Sequence, residues 1–263
     1  MKALLLNFTN EKEEFVHCLQ RLGCEITYSA AQRSDVNMAL VHTLRSLTEV
    51  GPYIHSLCHL FVLRHTLLPE ELRQLEKLVN EADVKVQFAS SKLYEWRIVD
   101  ILQQLGEVKF MQAYSDFEGD TPLTAACLRT EAQAATVAAR AALRKVEKLR
   151  AMIPGSANVL GVRADFVNTA SAYFWLSSAA FAERHELRFF GDKGFAAVNV
   201  LTREANIKML DGEIRSMPFL SEAESREAEL QSFIADLHSE KQPFFSSAEA
   251  ITQQEIMQQS QLK

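Results

Sequence analysis

Histidine and cysteine residues cluster in one short stretch, "YIHSLCH" (53–59). His55 and His59 are four residues apart, as are the two histidines of a zinc-binding helix, and Cys58 lies between them. Ser56 stands where a metalloprotease has its glutamate, and no third ligand follows at a zinc-site spacing. We therefore expect no metal site and interpret the stretch as a partly buried helix face.

Arg64 and His65 form the second group that could do chemistry, in "FVLRHTLLPEE" (61–71). A histidine can exchange protons near neutral pH, and the arginine places a positive charge beside it. Both are therefore candidate catalytic residues. No histidine occurs between His65 and His185, so neither candidate has an evident partner in the middle of the chain.

The composition restricts the class of protein. The chain has 263 residues, 48% hydrophobic and 24% charged, with a net charge of −6. This length allows one large domain or two smaller ones, and the acidic balance disfavours a nucleic-acid partner. We expect no membrane segment, because no apolar run reaches roughly 18 residues and the start lacks a signal-peptide pattern. The four cysteines form no Cys-x-x-Cys pair, which suits reduced thiols in the cytoplasm.

The first hundred residues alternate between strand-like and helix-like patterns. Short apolar runs predict strands at 3–8, 25–29, 60–64 and 84–89. Amphipathic segments predict helices, for example at 11–22 and 69–82, whereas the run at 37–42 fits either a strand or a helix. Strands that alternate with helices predict a parallel sheet with helices on its faces.

The pattern changes after Gly106. An alanine-rich helix is predicted at 130–152, and pairs of strands joined by tight turns follow, most clearly at Asp211-Gly212. We predict two domains: a shortened Rossmann-like domain with a parallel sheet, and a mostly antiparallel open sheet with helices on one face. These domains comprise 1–106 and 107–263.

This layout resembles the glucose–fructose oxidoreductase/inositol dehydrogenase/MocA (Gfo/Idh/MocA) family. The similarity covers about 85–263 and is carried by four stretches, which include 67–91. The other three are "LGEVKFMQAY" (105–114), "GVRADFVNTASAYFWLSSAAFAERHELRFFGDKGFAAVNV" (161–200) and "SFIADLHSEKQPFFSSAEAITQQEIMQQS" (232–260). The resemblance implies a two-domain protein related to NAD(P)-dependent oxidoreductases of sugars, polyols or related small molecules.

The chain departs from that family at the first strand–helix link. Family enzymes carry a Gly-x-Gly-x-x-Gly turn there, which lets the backbone approach the pyrophosphate. Here the link is Asn7–Glu11, and neither glycine before Gly106 lies in it. Glu11, Glu13 and Glu14 stand in the first helical turn, where carboxylates repel a pyrophosphate. The resemblance therefore indicates a degenerate member.

The chain also departs from the family's catalytic motifs. The family's Glu-Lys-Pro, whose lysine assists catalysis, is replaced by Arg64-His65-Thr66. The family places an aspartate and a histidine on the first long helix of its second domain, and the matching segment 130–152 has no histidine. An acidic residue expected at a cofactor ribose is also absent, although Ser29 and Arg33 could meet a 2′-phosphate.

These features lead us to expect an oxidoreductase-like binding or assembly module that has lost NAD(P) binding and hydride transfer, with no cofactor. One alternative is a divergent NAD(P)-dependent oxidoreductase, and another is a small-molecule sensor that uses the inter-domain cleft. The candidate residues that line this cleft are Asn7, Thr9, Asn10, Ser29, Arg33 and His42.

A homodimer through the sheet of the second domain is also expected, and an active relative is a further candidate partner. In the predicted strand 170–178, residues alternate between the two faces. Both sets contain large apolar groups, and Tyr173 and Trp175 belong to one of them. Because a sheet face rich in such residues usually forms an interface, we predict that these two residues lie in it.

Overall fold

A computed structural model describes residues 1–8, 12–28, 36–118, 123, 125–140, 143–152, 158–239 and 241–260. Contacts divide the chain into two compact units. The first comprises Met1–Ala89 and Arg226–Ile251, and the second comprises Ser90–Ser225 and Thr252–Lys263. No helix among the described residues is long and apolar enough to cross a membrane.

A parallel sheet forms the centre of the first unit. Its strands are β1 (Lys2–Leu6), β2 (Glu25–Thr27), β3 (Met38–Leu44), β4 (His59–His65) and β5 (Val86–Phe88). They follow the order β2-β1-β3-β4-β5, and every neighbouring pair is parallel. The predicted parallel sheet is therefore confirmed, and the ambiguous run 37–42 falls mainly in a strand.

Helices connect and cover these strands. They are α1 (Lys12–Arg21), α2 (Gly51–Ile54), which follows a 3-10 turn at Leu47–Glu49, α3 (Pro69–Glu81) and the greater part of α7 (Glu222–Leu237). Phe15 of α1, Phe61 of β4 and Phe233 of α7 belong to one buried core cluster. Burial of each such side chain contributes about 1.5–3 kcal/mol to stability.

The second unit is built on an eight-stranded sheet. Its strands are β6 (Val108–Glu118), β7 (Leu143–Met152), β8 (Asn158–Phe166), β9 (Ser171–Ala180), β10 (Arg184–Gly191), β11 (Gly194–Asn199), β12 (Glu204–Met209) and β13 (Ile214–Pro218). Their order is β13-β12-β11-β10-β6-β9-β8-β7. All neighbouring pairs are antiparallel except β6 and β9. The predicted mostly antiparallel sheet is confirmed.

The helices of the second unit are α4 (Ser91–Glu95), α5 (Ile98–Leu105), α6 (Ala125–Ala139) and the end of α8 (Ser247–Gln259). The prediction of one helix over 130–152 is wrong. Helix α6 ends before Arg140, whose φ of 42° lies in the left-handed region, and the chain then enters edge strand β7. The charged residues of β7 give this segment the sequence pattern of a polar helix end. The segment is a strand because it pairs with β8.

Candidate functional site

The carboxyl ends of strands β1 and β3 form the first candidate site. These strands are neighbours, and the chain leaves β1 for β2 on one side before it returns to β3 on the other. Such a reversal opens a crevice at the carboxyl edge of a parallel sheet, where open α/β folds bind ligands. Asn7 directly follows β1, and Arg45 directly follows β3.

Asn7 adopts a backbone conformation that usually requires glycine. Its φ is 62°, in the left-handed region that glycine adopts without strain. Asparagine is one of the few other residues enriched there, because its short side chain tolerates this conformation. Asn7 can therefore adopt this conformation where no glycine is present, and the asparagine itself is the signal that sequence reasoning missed.

The carboxylate of Glu49 lies against the ends of both strands. Its Oε2 accepts a hydrogen bond from Asn7 Nδ2 at 3.4 Å and another from the backbone N–H of Arg45 at 3.3 Å. Ser46 caps the 3-10 turn that carries Glu49, since its Oγ accepts from the N–H of Thr48 at 3.3 Å. A negative charge is thus fixed at the mouth of the crevice.

An aromatic ring occupies the start of the link between β1 and α1. The ring of Phe8 lies edge-on to Phe15 of α1, with centroids 5.4 Å apart, and edge-on to His42 of β3 at 5.3 Å. His42 Nδ1 in turn lies 3.1 Å from Thr43 Oγ1. These ring contacts join Phe8 to both elements.

The described groups at this edge differ from those that hold a pyrophosphate. A pyrophosphate needs close backbone approach and unopposed N–H groups at a helix start. This chain instead presents the Glu49 carboxylate and the Phe8 ring, and the acids Glu13 and Glu14 lie in the first turn of α1. Carboxylates in such positions repel a negatively charged ligand.

The candidate catalytic residues and the remaining cleft-lining candidates lie in different parts of the structure. Arg64 and His65 end strand β4, so they lie at the same carboxyl edge of the sheet as Asn7 and His42. Arg64 is exposed, whereas His65 is half-buried with its ring 4.8 Å from that of Phe88. The remaining predicted residues, Thr9, Asn10, Ser29 and Arg33, lie outside the described residues.

The histidine and cysteine stretch does not form one helix face. His55 follows the short α2 and is exposed, Cys58 is buried, and His59 begins strand β4. Within the described ranges, no three histidine, cysteine or acidic side chains are grouped so that they could hold a metal ion.

A second candidate site, which sequence reasoning missed, lies in the second unit. Glu131 of α6 is buried, and its Oε1 accepts a hydrogen bond from Ser115 Oγ of β6 at 2.7 Å. The same oxygen lies 2.9 Å from His185 Nε2 of β10. The ring of Trp96 packs edge-on to His185 at 5.3 Å. A lone glutamate inside an alanine-rich helix was the available signal.

The geometry of this Ser115–Glu131–His185 group allows proton exchange but not nucleophilic catalysis by the serine. In a serine-nucleophile triad the histidine contacts the hydroxyl. Here Ser115 donates to the carboxylate instead, and the histidine shares that oxygen. The His185 side chain is 27% exposed, so solvent can reach its ring.

The predicted interface residues lie on one face of the second sheet. Trp175 stands opposite Tyr114 in the register of β9 and β6, and Tyr173 stands opposite Gln112. Both are partly exposed, whereas the other set in the strand, which includes Phe174, is buried. The face also carries Arg184 and Arg188, which both donate to Glu186, and Arg184 lies 3.8 Å from the centre of the Tyr114 ring.

Comparison with solved structures finds the same fold along almost the whole chain. UDP-N-acetylglucosamine 3-dehydrogenase GnnA from Acidithiobacillus ferrooxidans aligns over 98% of this chain and 95% of its own, with a TM-score of 0.67 and 13% identity. An oxidoreductase from Agrobacterium radiobacter, solved with NAD+, L-tartaric acid and magnesium, aligns over 98% of this chain and 94% of its own, with a TM-score of 0.67 and 11% identity. A dehydrogenase (MviM) from Clostridium difficile aligns over 98% of this chain and 97% of its own, with a TM-score of 0.65 and 9% identity.

At this level of identity the similarity establishes the fold. The chain has the two-domain fold of Gfo/Idh/MocA-type dehydrogenases, as the resemblance in sequence implied. Comparisons with protein-family models and with curated proteins find no match.

Proposed function

We propose that this chain, on its Gfo/Idh/MocA-type fold, is a binding or assembly protein that has lost the usual NAD(P) binding and hydride transfer. The observation that carries the proposal is the Glu49 carboxylate, held at the ends of β1 and β3 by Asn7 and the Arg45 backbone. This is the crevice in which the fold would receive a dinucleotide.

Electrostatics disfavour a pyrophosphate beside this carboxylate. Two unit charges 4 Å apart repel by about 1 kcal/mol in water and by about 4 kcal/mol near a protein surface. Movement of the Phe8 ring would add a cost, because it would break the contacts with Phe15 and His42. Together these terms oppose the usual binding mode.

The residues available for chemistry support the same proposal. Arg64-His65-Thr66 stands where the family resemblance places the catalytic lysine motif. An arginine keeps its proton throughout the physiological range and cannot exchange it as a lysine can. The acid on α6, Glu131, points to Ser115 and His185 of the sheet and is buried among them.

A divergent NAD(P)-dependent oxidoreductase is the second candidate. Dehydrogenases share the fold, and the Glu131–His185 pair could hold and release a proton. In this alternative the candidate catalytic residues remain His65 and Arg64, and the cofactor would bind by a changed loop.

The proposed assembly is a homodimer through the open sheet face that carries Tyr173 and Trp175, or a complex of this face with an active relative. Half-exposed aromatic residues with arginines are typical of interfaces. The free cysteines suit a reducing compartment, and we place the protein in the cytoplasm.

Titration calorimetry with NAD+, NADH, NADP+ and NADPH tests the proposal. We expect each Kd to be weaker than about 10 μM, which corresponds to roughly −7 kcal/mol. Glu49→Gln should tighten any residual binding, because it removes the charge but keeps the shape. Glu25→Gln, at the opposite edge of the sheet, is the matched control. A tighter Kd for the unmodified protein would favour the oxidoreductase.

A further inference from the structure

A cleft of about 560 Å³ opens in the first unit at the amino ends of β4 and β5. This is the opposite edge of the parallel sheet from the crevice that contains Glu49. The volume lies within the range of small-molecule sites, roughly 300–1,000 Å³. Eleven of the described residues line the cleft, and they lie at or after the ends of α2, α3 and α7 and at or before the starts of the two strands.

Lys85 brings a positive charge to the cleft. Its Nζ donates hydrogen bonds to the main-chain oxygens of Asp236 and Ser239, near the end of α7. These bonds fix the ammonium group in place. An ammonium group has three N–H donors, and the bonds to described residues use two of them, which leaves one for a further acceptor.

His59 is a second possible donor among the residues that line the cleft. Its Nδ1 accepts a hydrogen bond from the backbone N–H of Lys85 at 3.0 Å, so the other ring nitrogen, Nε2, carries the proton of the neutral ring. Burial, followed by the charge of Lys85, lowers the pKa of His59, and Asp83 opposes this effect only in part. The ring is therefore a neutral donor near pH 7.

Polar and apolar side chains share the rest of the wall, and the polar ones are those of Asn80, Asp83, Ser239 and Gln242. Val79 of α3 is buried, Leu237 of α7 is half-buried, and Leu57 before β4 is 65% exposed. Leu57 has a φ of 59°, a strained conformation for a bulky residue. A ligand with an apolar body would cover part of the exposed leucine surface.

We infer that this cleft binds a small monocarboxylate with a short apolar body. The carboxylate accepts hydrogen bonds from Lys85 Nζ and His59 Nε2, and the body packs on Leu57, Val79 and Leu237. Asp83 at the rim is exposed and negative, so a second acidic group on the ligand would be repelled. The site is independent of the proposed function, because it lies at the other edge of the sheet.

Ligand-observed NMR and calorimetry on the full chain test the inference with three probes that share one skeleton. These are 4-methylpentanoate, 4-methylpentanamide and 3-methylbutylamine. We expect the acid to bind at least about tenfold more tightly than the amide, because the charge-assisted bonds to lysine are lost in the amide. We expect the amine to bind more weakly still.

Two variants locate the binding. Lys85→Gln should abolish the preference for the acid over the amide, although it also removes the bonds to the end of α7. Ala82→Trp keeps that lysine and fills the cleft, so it should remove binding of the acid while circular dichroism confirms a folded protein. Lys77→Gln, an exposed α3 residue outside the cleft, is the control and should bind as the unmodified protein does.

The inference is overturned by any of three results. The first is no detectable binding of the acid at about 10 mM, which is a free energy of only about −3 kcal/mol. The second is equal or tighter binding of the amine. The third is unchanged affinity for the acid in a folded Ala82→Trp. None of these outcomes depends on whether the protein binds NAD(P).

Discussion

His185 Nε2 lies 2.9 Å from Oε1 of Glu131, and the glutamate side chain is only 3% exposed. The two residues are 54 positions apart in sequence and meet because β10 pairs with β6 beneath helix α6. Ser115 Oγ donates a hydrogen bond to the same oxygen. Burial of a carboxyl group is costly unless it is hydrogen-bonded, and Ser115 and His185 supply the partners here.

Loss of the histidine should destabilise the protein strongly. In His185→Phe the buried Glu131 side chain keeps only Ser115 among the described residues, and we expect a loss of about 3 kcal/mol in the free energy of unfolding. Glu131→Gln, which can bond to both partners, should lose only about 1 kcal/mol. Urea denaturation measures both, and His55→Phe, at an exposed turn, is the control. A loss below about 1 kcal/mol in His185→Phe would show that the pair does not hold this unit together.

The backbone conformation of Asn7 gives a second prediction. Asn7→Gly and Asn7→Val both remove the bond to Glu49, so their difference isolates the cost of a φ of 62°. We expect the glycine variant to be within about 0.5 kcal/mol of the unmodified protein and the valine variant to lose about 1–3 kcal/mol more. Thermal or urea unfolding checks this. Equal stability of the two variants would mean that the link after β1 relaxes out of this conformation.

The pH dependence of stability should depend on His59. Burial and the charge of Lys85 lower the pKa of His59 in the folded protein, with a further small contribution from His238. As the pH falls through the ordinary value of about 6.5, the unfolded chain takes up a proton and the folded ring does not, so stability is lost on the acid side. As the pH falls from about 7.5 to 5.5, we expect the free energy of unfolding to decrease less in His59→Gln than in the unmodified protein.

Urea titrations across that interval measure the slope for each protein. His55→Gln is the matched control, because His55 is exposed and lies in the same stretch of sequence. It should keep the slope of the unmodified protein. A slope that His59→Gln leaves unchanged would contradict the prediction.

The cysteines should differ in reactivity. Burial raises the pKa of the Cys58 thiol to about 12 and raises those of Cys18 and Cys24 as well. Because the thiolate is the reactive form, N-ethylmaleimide should modify the partly exposed Cys127 first and the other three only after unfolding. Peptide mass spectrometry identifies the modified residue. Native labelling of Cys58 as fast as that of Cys127 would contradict this order.

The open sheet face gives the last prediction, a dimer in solution. Light scattering at micromolar concentration should report about twice the 29.7 kDa of the single chain. Trp175→Glu and Tyr173→Glu should each weaken the dimer, since each forces a charge into a desolvated contact. Glu13→Lys and Glu14→Lys, on exposed residues of α1, should leave it intact. A mass of one chain for the unmodified protein would refute the interface.

Local patterns were sufficient for the main architecture. The alternation of apolar runs and amphipathic segments in the first hundred residues correctly predicted a parallel sheet, because side-chain periodicity is a property of neighbouring residues. The Asp211-Gly212 hairpin was likewise recognisable, since Gly212 supplies the φ of 93° that the turn requires. The absence of glycines after β1 was also visible in the sequence alone.

Only the tertiary structure decided what replaces those glycines and where the charged groups meet. Glu49 reaches Asn7 across 42 positions, and Glu131 reaches His185 across 54. Strand β7 resembled a helix end until its pairing with β8 was known. These contacts depend on which strands become neighbours, and strand order depends on the free energy of the whole packed chain. A periodic pattern records only the face on which each residue lies.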